Sequence, residues 1–230
     1  MDEIWSYLET LTRQLQDAFG QRLAYVGLQG SHLRGEAGPD SDLDVVVVIE
    51  GLTLDDMARY RHMIQSLPNA DRSCGFLCGR EELARWNPLE ICNLVHATRD
   101  FYGYLRDLVP AYRREDAETY CMFSLNALYH ELCHGYVHAG AEQMEAALPG
   151  CYKTAFFILQ NLHYLQTGYF AESKLALRPR LAGRDRAVLE RFLDRQTPWR
   201  LAQDLPLLFS WCQERICRGL ECPKIEENLG

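Results

Sequence analysis

Apolar positions recur along the chain with two periods, and the change from one to the other divides it. Over residues 2–19, Ile4, Leu8, Leu11, Leu15 and Phe19 return every three or four residues, and Gly20 follows them. That spacing predicts an amphipathic helix with a glycine C-cap. The run Leu23-Ala24-Tyr25-Val26-Gly27-Leu28 predicts a strand over 22–28, and Val45-Val46-Val47-Val48-Ile49 a buried strand over 43–49. Whether the two run parallel or antiparallel stays open at this level. Between them, Ser31 to Arg34 predicts a short helix stopped by Gly35. The stretch 36–41, with Gly38-Pro39-Asp40, predicts a turn. Thr53 with Asp56 forms an N-cap pattern for a helix that reaches about Leu67, before Pro68. A third strand is predicted over 73–78, a short helix over 81–86 ended by Asn87-Pro88, and a fourth strand over 90–97.

From Asp116 onward the strand signals stop. Helices are predicted over 116–139, 150–167, 184–196 and 198–218, with Gly140, Gly168, Gly183 and Pro198 as punctuation. The tail after Pro223 is polar and reads as frayed. No internal repeat is visible. The expected fold class is therefore α+β: a small mixed β-sheet domain over 1–110, followed by an all-helical bundle over 111–230.

Composition narrows the function classes. The 230 residues are 47% apolar, enough for a packed core. No run approaches the roughly 18 apolar residues of a membrane span. The N-terminus Met1-Asp2-Glu3-Ile4-Trp5 lacks the basic and apolar regions of a secretory signal, so the reading is cytoplasmic. The nine cysteines are scattered without a C-x-x-C pair, which argues for reduced thiols serving as core filler. A net charge of −8 argues against nucleic acid and for cationic small molecules as partners. The charge is uneven. Residues 174–200 carry Lys174, Arg178, Arg180, Arg184, Arg186, Arg191, Arg195 and Arg200 against Asp185, Glu190 and Asp194, for a local +5. That run is either a solvated helix face or a basic rim for a polyphosphate.

The chemistry concentrates in Gly30 to Asp44. Asp42 and Asp44, two apart at the start of a strand, point to one face. Two adjacent carboxylates repel unless a divalent cation lies between them. Mg²⁺ suits the position, as a hard cation held by one or two carboxylates together with substrate phosphates. Gly30-Ser31 supplies backbone N–H groups, a hydroxyl and a helix start, all suited to an anion.

The order strand, Gly30-Ser31, Arg34-Gly35, turn, Ser41-Asp42-Leu43-Asp44, strand resembles the nucleotidyltransferase superfamily that includes DNA polymerase beta, poly(A) polymerases and aminoglycoside nucleotidyltransferases. The place two before the Arg is commonly aromatic in that family and is His32 here. The resemblance implies transfer of a nucleoside monophosphate, AMP by family frequency, from an NTP to a hydroxyl of a small acceptor. It implies Mg²⁺ on Asp42 and Asp44, and nucleotide contacts from Gly30, Ser31, Arg34 and Ser41. A third carboxylate, as metal ligand or general base, is expected on a neighbouring strand. Glu90, in Pro88-Leu89-Glu90, resembles the base of streptomycin-type adenylyltransferases; Asp71 is the alternative. The helical half resembles the helical domains fused to antibiotic nucleotidyltransferases and HEPN-like bundles, with Lys153 and Lys174 as candidate nucleotide contacts. Relatives often dimerise, so a homodimer belongs to the expectation. An alternative is a regulatory nucleotide-binding or protein-modifying module of toxin–antitoxin type.

One competing motif remains. His130-Glu131-Leu132-Cys133-His134 fits the H-E-x-x-H zinc-protease helix, and His138 adds a third histidine on the same face. A downstream ligand such as Glu172 or Glu190 would complete it. The bland reading is a helix whose histidines line an interdomain cleft or pack with Tyr129 and Tyr136.

Overall fold

The computed structural model describes residues 2–38 and 41–219. Pro39 and Asp40 of the predicted turn, and the polar tail after Pro223, lie outside the described residues. The chain forms two compact units, Met1–Tyr112 and Arg113–Gly230.

In the first unit the order is α1 (Asp2–Phe19), β1 (Leu23–Leu28), α2 (Gly30–Leu33), β2 (Leu43–Ile49), α3 (Leu54–Ser66), β3 (Ser73–Gly79), α4 (Arg80–Leu83), α5 (Pro88–His96) and β4 (Arg99–Tyr102). The four strands make one mixed sheet in the order β3-β2-β1-β4. β1 is antiparallel to both β2 and β4, and β2 is parallel to β3. The direction left open by the sequence is thus antiparallel for the first pair, as a short return excursion favours.

Alternation along the strands feeds two apolar layers. Leu43, Val45, Val47 and Ile49 join Leu8, Leu11 and Leu15 of α1 on one face. Val46 and Val48 join Tyr25, Cys78, Leu83, Ile91 and Val95 on the other. Val46, Val47 and Val48 are fully buried, because helices cover both faces. Each such side chain contributes about 1.5–3 kcal/mol.

The predicted fourth strand over 90–97 is a correction. Those residues belong to helix α5, and the fourth strand is Arg99–Tyr102. Asn87 caps the helix by accepting from the Leu89 N–H, and Pro88 occupies its first turn. Buried Ile91, Cys92 and Val95 then fall at helical spacing.

α3 is capped as its sequence predicts. The Thr53 hydroxyl accepts from the Asp56 N–H, and the Asp56 carboxylate accepts from the Thr53 N–H. Asp56 is 4% exposed and receives two hydrogen bonds from Arg22, of 2.5 and 3.2 Å. The guanidinium and the Thr53 groups hold its carboxyl well below the usual carboxylate range. A depressed folded pKa stabilises the fold above the unfolded value, about 3.9, and that contribution fades as pH falls below it. Asp56→Asn is therefore expected to melt below wild type at pH 7, with the gap closing toward pH 2; thermal melts across pH check this.

The second unit contains α6 (Arg114–His138), α7 (Ala141–Thr167), α8 (Lys174–Leu177), α9 (Gly183–Leu193) and α10 (Leu201–Arg218). α7 starts nine residues earlier than the sequence predicts and runs through Pro149. Burial of Met144, Leu148, Cys151 and Tyr152 on one stripe across that proline outweighs its missing N–H. Gly168 ends α7 in the left-handed conformation, φ +71, with its N–H on the Tyr164 carbonyl.

The basic run over 174–200 is mostly a solvated surface, with its arginines engaged in pairs within the second unit. Arg191 pairs with the buried Asp204 at 2.6 and 3.1 Å and stacks over Trp199 at 3.9 Å. Arg178 and Arg186 share Glu190, and Arg184 donates to Glu214 at 2.5 Å. Asp185 accepts from Arg215 and from the buried Trp211 indole, at 2.8 Å for the latter. The cysteines also serve the core. Burial pushes Cys78, Cys151 and Cys212 up to about 12 and Cys92 to about 11. Among the described residues no helix is long and apolar enough to cross a membrane.

Candidate active site

The site begins where β1 ends. Gln29 is extended, and its N–H donates to the Asp44 carbonyl at 2.8 Å, so the last antiparallel rung ties the turn to β2. Gly30 then takes φ +72, a left-handed value that favours glycine. Its missing side chain matters as much. A Cβ on Gly30 would lie 1.8 Å from Asp44 Oδ2, so the carboxylate occupies the space a side chain would fill. Sequence neighbours of unlike chemistry, a small turn and an acid, are thereby in contact.

Asp42 and Asp44 flank the buried Leu43 and share the opposite face of β2; Asp42 is exposed and Asp44 half-buried. Ser31 lies in the single turn of α2, and its carbonyl accepts from the Glu36 N–H at 2.9 Å. Arg34 is engaged locally: its Nε donates to Glu36 Oε2 at 3.1 Å, in a pair whose side chains are 16% and 10% exposed. Ser41 closes the turn, its hydroxyl accepting from the Gly38 N–H at 2.8 Å. The His32 ring turns inward with Nε2 shielded and without a hydrogen bond among the described residues, as a packing group would sit.

Sequence reasoning missed two supports of this turn. Gln29 donates through Nε2 to the Thr98 hydroxyl at 2.7 Å, and that hydroxyl donates to the Leu94 carbonyl. Glu36 is the second support, through Arg34. Neither residue carries a local pattern, since their partners are set by the return of α5 and by the path of the loop.

The third carboxylate does not stand on a neighbouring strand. β3 pairs Asp44 with Cys74 in register, and Ser73–Gly79 contains no acid. Glu90 sits instead in the first turn of α5, the helix that covers the face of β2 bearing the two aspartates. It is exposed, and its Oε2 accepts from the Trp86 indole N–H at 2.6 Å. Asp71 is exposed, just ahead of β3. Among the described residues no three His, Cys, Asp or Glu side chains are placed together to hold a metal ion. As they stand, then, neither Glu90 nor Asp71 completes the aspartate pair, and the H-E-x-x-H helix has no third ligand.

In the helical unit Lys153 is exposed on α7. Lys174 is 8% exposed, with its ammonium over Phe156 and Phe192 at 5.4 and 5.3 Å from the ring centroids. Cation–π packing accounts for that position.

Residues 8–70 match the family described as nucleotidyltransferase domain. No curated protein matches the chain. Among solved structures, spectinomycin adenyltransferase AAD(9) from Enterococcus faecialis, determined with ATP and spectinomycin, aligns at TM-score 0.58 and 14% identity, over 93% of this chain and 99% of that one. A toxin–antitoxin with AMP-PNP aligns over 56% of this chain and 93% of that one at 21% identity, with a TM-score of 0.31. The matched segment holds the Gly30 turn and both aspartates, and the sheet around them is the mixed sheet of the first unit, so it is this part of the chain that is similar to a nucleotidyltransferase domain.

Proposed function

We propose that the protein transfers AMP from ATP to a hydroxyl of a small, cationic, aminoglycoside-like acceptor. The observation that carries this reading is the contact of Asp44 with the side-chain-free Gly30. It sets an anion-accepting turn against a carboxylate pair. An all-oxygen donor set of two carboxylates fits Mg²⁺. Asp42 and Asp44 would hold the ion, which when bound neutralises phosphate charge and polarises the phosphoryl group.

The residues of the chain do the positioning. Backbone N–H groups of Gly30 and Ser31, with the Ser31 hydroxyl, suit the triphosphate. Arg34, braced by Glu36, and Ser41 shape the rim of that turn. Glu90 is the proposed third carboxylate: it opens the helix over the aspartate face, and it would leave the Trp86 indole to join the pair. As a base it would take the proton of the acceptor hydroxyl as the new phosphoester bond forms and pyrophosphate leaves. Lys153 and Lys174 are the proposed nucleotide contacts of the helical unit, Lys153 the more available because it is exposed. ATP and the acceptor class take their support from the ligands of the AAD(9) structure. The net charge of −8 also favours a cationic acceptor.

The test is transfer of label from α-labelled ATP, with Mg²⁺, to a panel of aminoglycosides and aminocyclitols, scored with pyrophosphate release. Label on one or more small acceptors is expected. Label on protein alone, or none with any nucleoside triphosphate, would overturn the reading.

A further inference from the structure

The histidines of α6 take no part in the proposed transfer, yet their arrangement is specific. We propose that His134 and His138 form a two-imidazole chelate for a late divalent transition metal, Cu²⁺ ahead of Ni²⁺ and Zn²⁺. His130, His134 and His138 follow at four-residue steps, so they stand one above another on a single exposed stripe. The ring centroids are 5.9 Å apart for His130 and His134, and 4.8 Å apart for His134 and His138.

Those separations can be set against coordination geometry. An imidazole nitrogen binds such ions at about 2.0–2.1 Å, which places the ring centroid roughly 3.2 Å from the metal. Two rings sharing one ion at a right angle or slightly wider then have centroids about 4.5–5.2 Å apart. The His134–His138 pair falls inside that window and the His130–His134 pair outside it.

A second observation supplies the space. A cavity of about 500 Å³ is lined by His130, Glu131, His134, His138, Gln143 and Met144. Gly135 also lines it and lets Met144 pack against α6, since a Cβ there would lie 2.4 Å from Met144 Sδ. The ion and its remaining ligands therefore have room beside the helix. Imidazole donors and the usual affinity order select copper over nickel and zinc. With two protein ligands the site differs from a zinc protease, which fixes three and activates a water. Its immediate effect would be to staple the last turn of α6, stabilising the folded chain in proportion to metal concentration.

Calorimetric titration of the full chain with CuCl₂, NiCl₂ and ZnCl₂ tests the proposal, with thermal melts alongside. Saturable binding in the order copper, then nickel and zinc, is expected. His134→Ala and His138→Ala should each weaken it by about tenfold or more, equivalent to 1.4 kcal/mol or more. His130→Ala should weaken it less, and His62→Ala, an exposed histidine of α3, not at all. No saturable binding, or wild-type titrations from both His134→Ala and His138→Ala, would sink the proposal, as would His130→Ala giving the largest loss. All four positions are exposed, so the variants should fold, and the melts verify that they do.

Discussion

Changing Asp42 and Asp44 together to asparagine is expected to lower ATP-dependent transfer by on the order of 10³-fold or more. The carboxylate pair is proposed to carry the metal, and metal charge stabilisation amounts to several kcal/mol at about 1.4 kcal/mol per decade of rate. The fold should survive. Asp42 is exposed and Asp44 half-buried, and asparagine preserves their shape. The backbone carbonyl of residue 44 still accepts from Gln29. Steady-state transfer and a thermal melt on the same preparation separate lost chemistry from lost structure. Transfer at the wild-type rate in a folded double variant would remove Asp42 and Asp44 from the reaction.

Gly30→Ala is the second large expected effect, and it has an internal control. Alanine at φ +72 costs about 1 kcal/mol, a drop of roughly 5 °C in melting midpoint for a unit of this size. The new methyl must also displace the Asp44 carboxylate, which lies 1.8 Å from its ideal position. Misplacing a reacting constellation by about 1 Å costs on the order of 10²-fold in rate. Gly35→Ala meets the same backbone penalty at φ +66, but its added Cβ finds no atom within 4 Å. It should lose comparable stability and keep far more activity. Equal activity losses in the two variants would show that the contact with Asp44 is not what requires Gly30.

The stretch from Gly30 to Asp44 was readable from sequence because it is contiguous. One stretch contains the turn, the aspartates and the apolar run that buries the strand, so local patterns state most of the geometry. The capping box of Thr53 and Asp56 was readable for the same reason. Glu90–Ala97 was not. Its Ile, Val and Cys content suggests a strand, while the deciding signals were the Asn87 cap, Pro88 and the spacing of Ile91, Cys92 and Val95. The true edge strand, Arg99–Tyr102, begins with an exposed Arg-Asp pair and carries no apolar run. The Gln29–Thr98 and Arg22–Asp56 bonds depend on where distant segments return, which no local period encodes.

The antiparallel pairing of β1 with β2 has a kinetic consequence. Gly30 and Asp44 meet by closing one short loop within a hairpin-like pair, whereas the proposed approach of Glu90 to the pair would have to close a loop about three times longer, at roughly 1 kcal/mol more entropy. The glycine–carboxylate contact is thus a low-contact-order feature, free to form as soon as two neighbouring strands zip together. The half of the site that would handle the nucleotide can then be in place before the half that would take the proton of the acceptor hydroxyl.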